Sequence, residues 1–152
     1  MKIHFLYGTE TGNSEILCDD MQDELGADVT SRISDMGTVD PADLDPEEFH
    51  IVVTSTYGNG DLPSTAVSFS DALAETKPDL SGIRFAIFGL GDMVFAETFA
   101  QGSKTLMEQL LACKAEQVGE RGIFDASGAD MPEDIGVPWL HGILALLQAK
   151  AA

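Results

Sequence analysis

At 152 residues, the chain suits one domain (1–152) with one hydrophobic core, and its 44% hydrophobic content argues against intrinsic disorder. Eight basic residues against 26 acidic ones give a net charge of −18, which excludes nucleic-acid phosphates as a target and disfavours anionic membrane surfaces. No apolar stretch approaches the ~20 residues that cross a bilayer, and Met1–Tyr7 reads as a first strand rather than a secretory leader, so a cytoplasmic address is expected.

Lys2–Tyr7 combines aromatic and β-branched residues in the pattern of a strand buried on both faces. Ser14–Leu25 follows at helical spacing, with Ile16, Leu17, Met21 and Leu25 expected inward and Glu15, Asp19, Asp20, Asp23 and Glu24 outward. Gly26 is placed to stop that helix. Ala27–Ile33 alternates weakly and is polar enough for an edge strand. Residues 34–48 are acidic, and Pro41 and Pro46 argue for irregular structure. Phe49–Ser55 is the second strong apolar strand, and Thr65–Thr76 the second helix, turning Phe69 and Leu73 inward. Residues 77–82 lead to the strand Arg84–Leu90 and then the helix Gln101–Cys113, with Leu106, Leu110 and Leu111 inward. Glu116–Asp125 is a late, more polar strand. Ile135–Leu147 is an amphipathic helix carrying Trp139, Leu140, Ile143, Leu144 and Leu147.

Strands alternating with crossover helices imply an α/β fold: a doubly wound, five-stranded parallel sheet with helices on both faces. The apolar strands belong in its middle and the polar ones at its edges, which fits the order 2-1-3-4-5. Ligands of such sheets sit beyond the carboxyl ends of the strands, between the first and third. Cys18 and Cys113 are far apart in helical patterns and read as reduced packing thiols. His4, His50 and His141 do not cluster in sequence, read as structural, and suggest no metal site.

Three loops leave the carboxyl ends of the apolar strands. The first carries Thr9, Glu10, Thr11, Gly12, Asn13 and Ser14 into a helix start, where free N–H groups and the dipole favour an anion. Its donors are neutral, and no Walker lysine is present, so a tightly held phosphoester fits better than phosphoryl transfer. Taken alone, it also fits an ordinary capped helix. The second loop carries Ser55, Thr56, Tyr57, Gly58, Asn59 and Gly60, and its Gly58 peptide can turn either way at little cost. Such a peptide could meet a flavin nitrogen that gains a proton on one-electron reduction; a plain Asn-Gly turn is the alternative. The third supplies Gly89, Leu90, Gly91 and Asp92 for close backbone contact, then Phe95 and Phe99 as flat surfaces or core residues. A phosphate seat with two aromatic walls describes a receptor for flavin mononucleotide.

The segments Thr9-Glu10-Thr11-Gly12-Asn13-Ser14, Ser55-Thr56-Tyr57-Gly58-Asn59-Gly60-Asp61-Leu62-Pro63 and Phe88-Gly89-Leu90-Gly91-Asp92 together resemble the flavodoxin signature over nearly the whole chain. The wording is nearest to short-chain, MioC-type flavodoxins and the FMN domains of diflavin reductases. The resemblance implies noncovalent FMN, with phosphate on the Thr9–Ser14 loop and the ring between Tyr57 and Phe95. Gly58 would be the flipping peptide, and the backbone of Leu90, Gly91 and Asp92 would meet the pyrimidine edge. Phe95 departs from the family's usual tyrosine, keeping the stacking surface and losing a phenol hydroxyl.

The expected role is a low-potential one-electron carrier, without catalysis of its own, between a basic-faced NAD(P)H-dependent flavoprotein reductase and an acceptor redox enzyme. The charge is lopsided: residues 1–76 hold 16 acids and two bases, a net −14, against ten acids and six bases, −4, in residues 77–152. That asymmetry suits a docking face for a basic partner, or simply an acidic solubilising coat. A monomer is expected. The rival enzyme reading, an NAD(P)H-dependent quinone or azo reductase on the same fold, needs a nicotinamide seat that no segment supplies. A signalling receiver would need an aspartate where Ser55-Thr56 stands and a lysine near Phe124-Asp125. An FMN-free binding module is the remaining alternative.

Overall fold

The computed structural model describes residues 1–8, 12–55, 62–91, 101–125 and 130–151. Its elements run β1 (Lys2–Gly8), α1 (Asn13–Asp23), β2 (Thr30–Asp35), β3 (Phe49–Ser55), α2 (Ser64–Thr76), β4 (Arg84–Gly91), α3 (Gln101–Ala112), β5 (Glu116–Gln117), β6 (Gly122–Asp125) and α4 (Pro132–Ala151). Every described strand pairing is parallel, in the order β2-β1-β3-β4-β5, with β6 also on β4. The three apolar strands are central and the polar β2 is an edge, because only a strand covered on both faces can bury every side chain.

Alternation along these strands builds two cores. Ile3, Phe5, Phe49, Ile51, Val53, Ala86 and Phe88 face α1 and α4, meeting Leu17, Met21, Leu140 and Ile143. Leu6, Val52, Phe85 and Ile87 face the other way, against Phe69, Leu73, Leu106 and Leu110 of α2 and α3. Crossovers placed on opposite faces are what doubly wound sheets require. Among the described residues no helix is long and apolar enough to cross a membrane.

Several sequence expectations need correction. Ile16 is 58% exposed and Leu111 43% exposed; Cys18 and Cys113 are buried instead. In α3 the inward stripe is Leu106, Leu110 and Cys113, and Leu111 sits about 100° around the helix from Leu110. α1 ends at Asp23 through tight turns, Glu24 N–H to Met21 and Leu25 N–H to Gln22, both 3.1 Å, and Gly26 does not take a left-handed cap. Residues 34–48 contain two short 3₁₀ turns, capped by Asp35 and Asp40 side chains that accept from Gly37 and Ala42 N–H. α4 begins earlier than the apolar pattern, at Pro132, where a missing N–H costs nothing and Asp134 reaches back to Met131 N–H at 2.9 Å.

The largest difference lies at the fifth strand. Phe85 pairs with Gln117 but Phe88 with Gly122, so five steps on one side match three on the other. The surplus is absorbed at Gly119, whose φ of 72° turns the chain out of the ladder between β5 and β6.

α3 closes in a Schellman turn, with Ala115 N–H on Leu110 O and Lys114 N–H on Leu111 O, 3.1 and 3.0 Å. Lys114 holds the left-handed position there, at φ 74°. Glycine pays no Cβ penalty in that region, so Lys114→Gly is expected to raise stability by about 0.5–1 kcal/mol, measured by urea unfolding.

Candidate functional site

The carboxyl ends of β1, β3 and β4 lie level, because Gly8 pairs with Thr54 and Ser55 with Leu90. β1 has β2 on one side and β3 on the other, so the connections from this point leave in opposite directions and open a crevice above the sheet. Gly8 is confined beneath it: a Cβ there would lie 2.7 Å from Ala66 Cβ and 2.8 Å from Met36 Cε.

α1 starts at this crevice. Gly12, its N-cap, is left-handed at φ 90°, and an added Cβ there would meet nothing within 4 Å among the described residues. Among the described residues no side-chain hydrogen bond caps the helix. Ser14 in the first turn is fully buried, and its Oγ has no hydrogen-bond partner among the described residues. A buried hydroxyl without a partner costs about 1–3 kcal/mol, and beside the positive end of a helix dipole its natural complement is an anion. The donors present therefore fit a phosphoester, with Asn13 exposed and Gly12 half-buried at the same mouth.

Of the other predicted site residues, Ser55 is half-buried at the end of β3, and Gly89, Leu90 and Gly91 are the buried last residues of β4. The fold thus gathers Gly12, Asn13, Ser14, Ser55, Gly89, Leu90 and Gly91 at the carboxyl edge of neighbouring elements. Thr9, Glu10, Thr11, Thr56, Tyr57, Gly58, Asn59, Gly60, Asp92, Phe95 and Phe99 lie outside the described residues.

A second polar cluster, away from the crevice, was not legible as a group. Arg32, His4 and His50 stand in one row across β2, β1 and β3, since His4 pairs with Arg32 on one side and His50 on the other. Glu48, just before β3, receives both Arg32 Nε and Nη2, at 2.9 and 2.7 Å. This pairing holds the Glu48 carboxyl below its ordinary range. His4 is lowered to about 4, chiefly by burial and then by the Arg32 charge, so its 3.9 Å approach to Glu48 is that of a neutral imidazole at pH 7.

The unfolded chain holds more protons on His4 between its ordinary 6.5 and about 4, so this residue makes folding weaken as pH falls through that window. Glu48 adds a loss in the same direction below the usual carboxylate range. Between pH 7 and 4, a His4→Leu chain should lose about 2–3 kcal/mol less stability than the unaltered one, measured by urea unfolding in EDTA. Parallel pH profiles for the two would contradict it.

The surface is strongly acidic. Glu15, Asp19, Asp23 and Glu24 on α1, Asp40, Asp43 and Glu47 before β3, and Asp71 and Glu75 on α2 are all exposed.

Comparison with known proteins agrees with this architecture. The flavodoxin family model matches residues 5–139. The chain is 31% identical over 144 residues to the MioC homolog of Haemophilus influenzae, covering 95% of this chain and 97% of that protein. It is 34% identical over 145 residues to the NADPH-dependent diflavin oxidoreductase 1 of Emericella nidulans, covering 90% of this chain. A cysteine-to-alanine mutant of flavodoxin from Pseudomonas aeruginosa superposes with a TM-score of 0.84 at 28% identity, covering 97% of this chain and 99% of that one. The chain spans only 21% of the Emericella protein's length, and as little as 8% of another curated relative. A family model that takes in the sheet and the start of α1 leaves one assignment: the chain belongs to the flavodoxin family.

Proposed function

We propose that this chain is an FMN-dependent electron carrier, accepting electrons from a basic-faced NAD(P)H-dependent flavoprotein reductase and delivering them to an acceptor redox enzyme. FMN is the cofactor implied by family membership. The observation that carries the reading is the buried, unpartnered Ser14 hydroxyl at the helix start beside the β1/β3 switch point. Bound FMN supplies one-electron redox chemistry.

The chain's own residues divide the remaining tasks. Thr9, Thr11, Asn13 and Ser14 donate to the phosphate with Gly12 backbone close behind, while Glu10 borders the same loop. Tyr57 and Phe95 would wall the ring and exclude water from it, and Phe99 is the further aromatic assigned to the site. The Gly58 peptide, free to turn either way, would offer its carbonyl to the ring, with Ser55, Thr56, Asn59 and Gly60 in the same segment. The backbone of Leu90, Gly91 and Asp92 would meet the pyrimidine edge, with Gly89 just before them. The net charge of −18 opposes adding negative charge to the ring, which favours a low potential.

The exposed acids of α1 and α2 lie on both sides of the sheet, and the negative field they set up would draw in a basic reductase by electrostatic attraction. A reductase as donor is supported by the Emericella relative, whose name joins NADPH to two flavins. The carrier is taken to act as one domain over 1–152, without turnover of its own.

The test is the FMN content and visible spectrum of the purified protein, followed by dithionite titration and NADPH oxidation assays. Stoichiometric FMN, reduction in two one-electron steps and negligible NADPH oxidation by the isolated protein are expected. Reductase-driven reduction should slow severalfold as salt rises from about 0.01 to 0.15 M, since screening shortens the field from about 30 to 8 Å. Direct two-electron bleaching or rapid NADPH oxidation would overturn the carrier reading in favour of an enzyme.

A further inference from the structure

The buried cluster on the α2/α3 face of the sheet carries an inference independent of the flavin reading. His4 and His50 are each 1% exposed and Glu48 8%. One ring nitrogen from each histidine and one Glu48 oxygen lie within 4.8 Å of one another. The other nitrogens are engaged: His4 Nε2 is 2.8 Å from Ser34 Oγ, and His50 Nδ1 is 3.4 Å from the Arg84 carbonyl. A carbonyl can only accept, so His50 carries its proton on Nδ1 and keeps a lone pair on Nε2. His4 with its proton on Nε2 likewise keeps a lone pair on Nδ1. Those two atoms, His4 Nδ1 and His50 Nε2, are buried and have no hydrogen-bond partner among the described residues.

With His4 in that tautomer, two lone pairs and a carboxylate oxygen face one another, an arrangement that a bound cation satisfies. We propose that His4, His50 and Glu48 form a binding site for a borderline divalent transition-metal ion, with Zn²⁺ as its test ion.

The donor chemistry suits such an ion: two neutral imidazoles and one carboxylate are a common three-ligand set for zinc that leaves a fourth position for water. Arg32 need not be displaced. It uses one lone pair on each Glu48 oxygen, and each oxygen has another, so the guanidinium fixes the carboxylate as an outer partner of a ligand. Ser34 and the Arg84 carbonyl do the same for the two rings. Bonds of about 2.0 Å would set the ligand atoms about 3.3 Å apart, so the 3.9 Å between His4 Nδ1 and Glu48 Oε1 closes by roughly half an ångström. A cleft of about 190 Å³ lined by His4, Arg32, Thr38, Asp40, Asp43 and Leu44 reaches one of the three ligands, His4. The exposed Asp40 and Asp43 at its mouth attract a cation.

The experiment is calorimetric titration of the chelator-washed 152-residue protein, carrying whatever flavin it retains, with Zn²⁺ alone, beside thermal melts with and without the ion. One equivalent should bind and raise the Tm. His50→Gln and Glu48→Gln should each weaken binding at least tenfold, while His141→Gln, at the exposed pair with Glu24, should leave it unchanged. If the cluster variants fail to fold, X-ray absorption of the zinc-loaded unaltered protein must show two imidazoles in its first coordination sphere. No saturable binding at about 100 μM Zn²⁺, loss of binding in His141→Gln, or a coordination sphere without imidazole would overturn the proposal. So would a high-resolution structure from zinc-containing solution with only water between His4 and His50. Because the site lies at the other end of β1 and β3 from the loops that would hold FMN, flavin binding can fail without affecting this result, and the reverse.

Discussion

Ser14→Ala is expected to weaken FMN binding about ten- to hundredfold while leaving the flavin-free protein as stable as before, or more so. The two effects have opposite signs for one reason. Ser14 Oγ is fully buried and has no hydrogen-bond partner among the described residues. In the flavin-free state its removal therefore costs no bond and relieves a desolvated dipole. A hydrogen bond to a charged phosphate contributes about 1.5–3 kcal/mol, which is the tenfold to hundredfold range in affinity. Quenching of FMN fluorescence gives the affinity, and urea unfolding of flavin-free protein gives the stability. Equal affinity in the two proteins would remove Ser14 from the phosphate site. A large loss of flavin-free stability would show that the hydroxyl serves packing instead.

The same residue shows how far the sequence could be read. That Ser14 sits at a helix start was legible, because hydroxyls and glycine before an apolar helical repeat point to free N–H groups. That its hydroxyl is fully enclosed was not, since burial depends on what α1 packs against. β1, β3 and β4 were legible for a related reason: strands buried on both faces must be apolar at nearly every position, so burial leaves a mark in the sequence itself. Glu116–Asp125 looked like one strand because its composition is uniform, yet the break comes from Gly119, whose left-handed backbone leaves no trace in hydrophobicity. Ile16 and Leu111 misled because an apolar residue off the main stripe of a helix carries the same letter as one on it.

The histidine cluster lay furthest from view. His4 and His50 are 46 positions apart, and only the register of two parallel strands puts them opposite each other. A shift of a single residue in that register would send one of them to the opposite face of the sheet. Parallel pairing is set by the whole sheet, so no local pattern around either histidine announces the other.

Register also underlies the second large effect expected here, at Gly8. Gly8 pairs with Thr54, which carries β1 directly under α2 at the foot of the crevice. A Cβ at Gly8 would lie 2.7 Å from Ala66 Cβ, 2.8 Å from Met36 Cε and 3.0 Å from Thr54 Oγ1. Met36 can move aside because it is a flexible chain end, but Ala66 Cβ is fixed to the helix backbone. Gly8→Ala must therefore push α2 away from the sheet, and overpacking of this kind costs about 1–3 kcal/mol. The strain acts at the end of β1, next to the segment proposed to hold phosphate, so FMN affinity should fall as well. Ala66→Gly removes the atom in conflict while adding a helix-interior penalty of about 1 kcal/mol. The double variant should therefore be more stable than the sum of the single changes predicts, by about 1 kcal/mol or more. Urea unfolding of the four proteins measures that coupling. Strict additivity would mean that β1 and α2 do not meet at this point, and the crevice would then have a different floor.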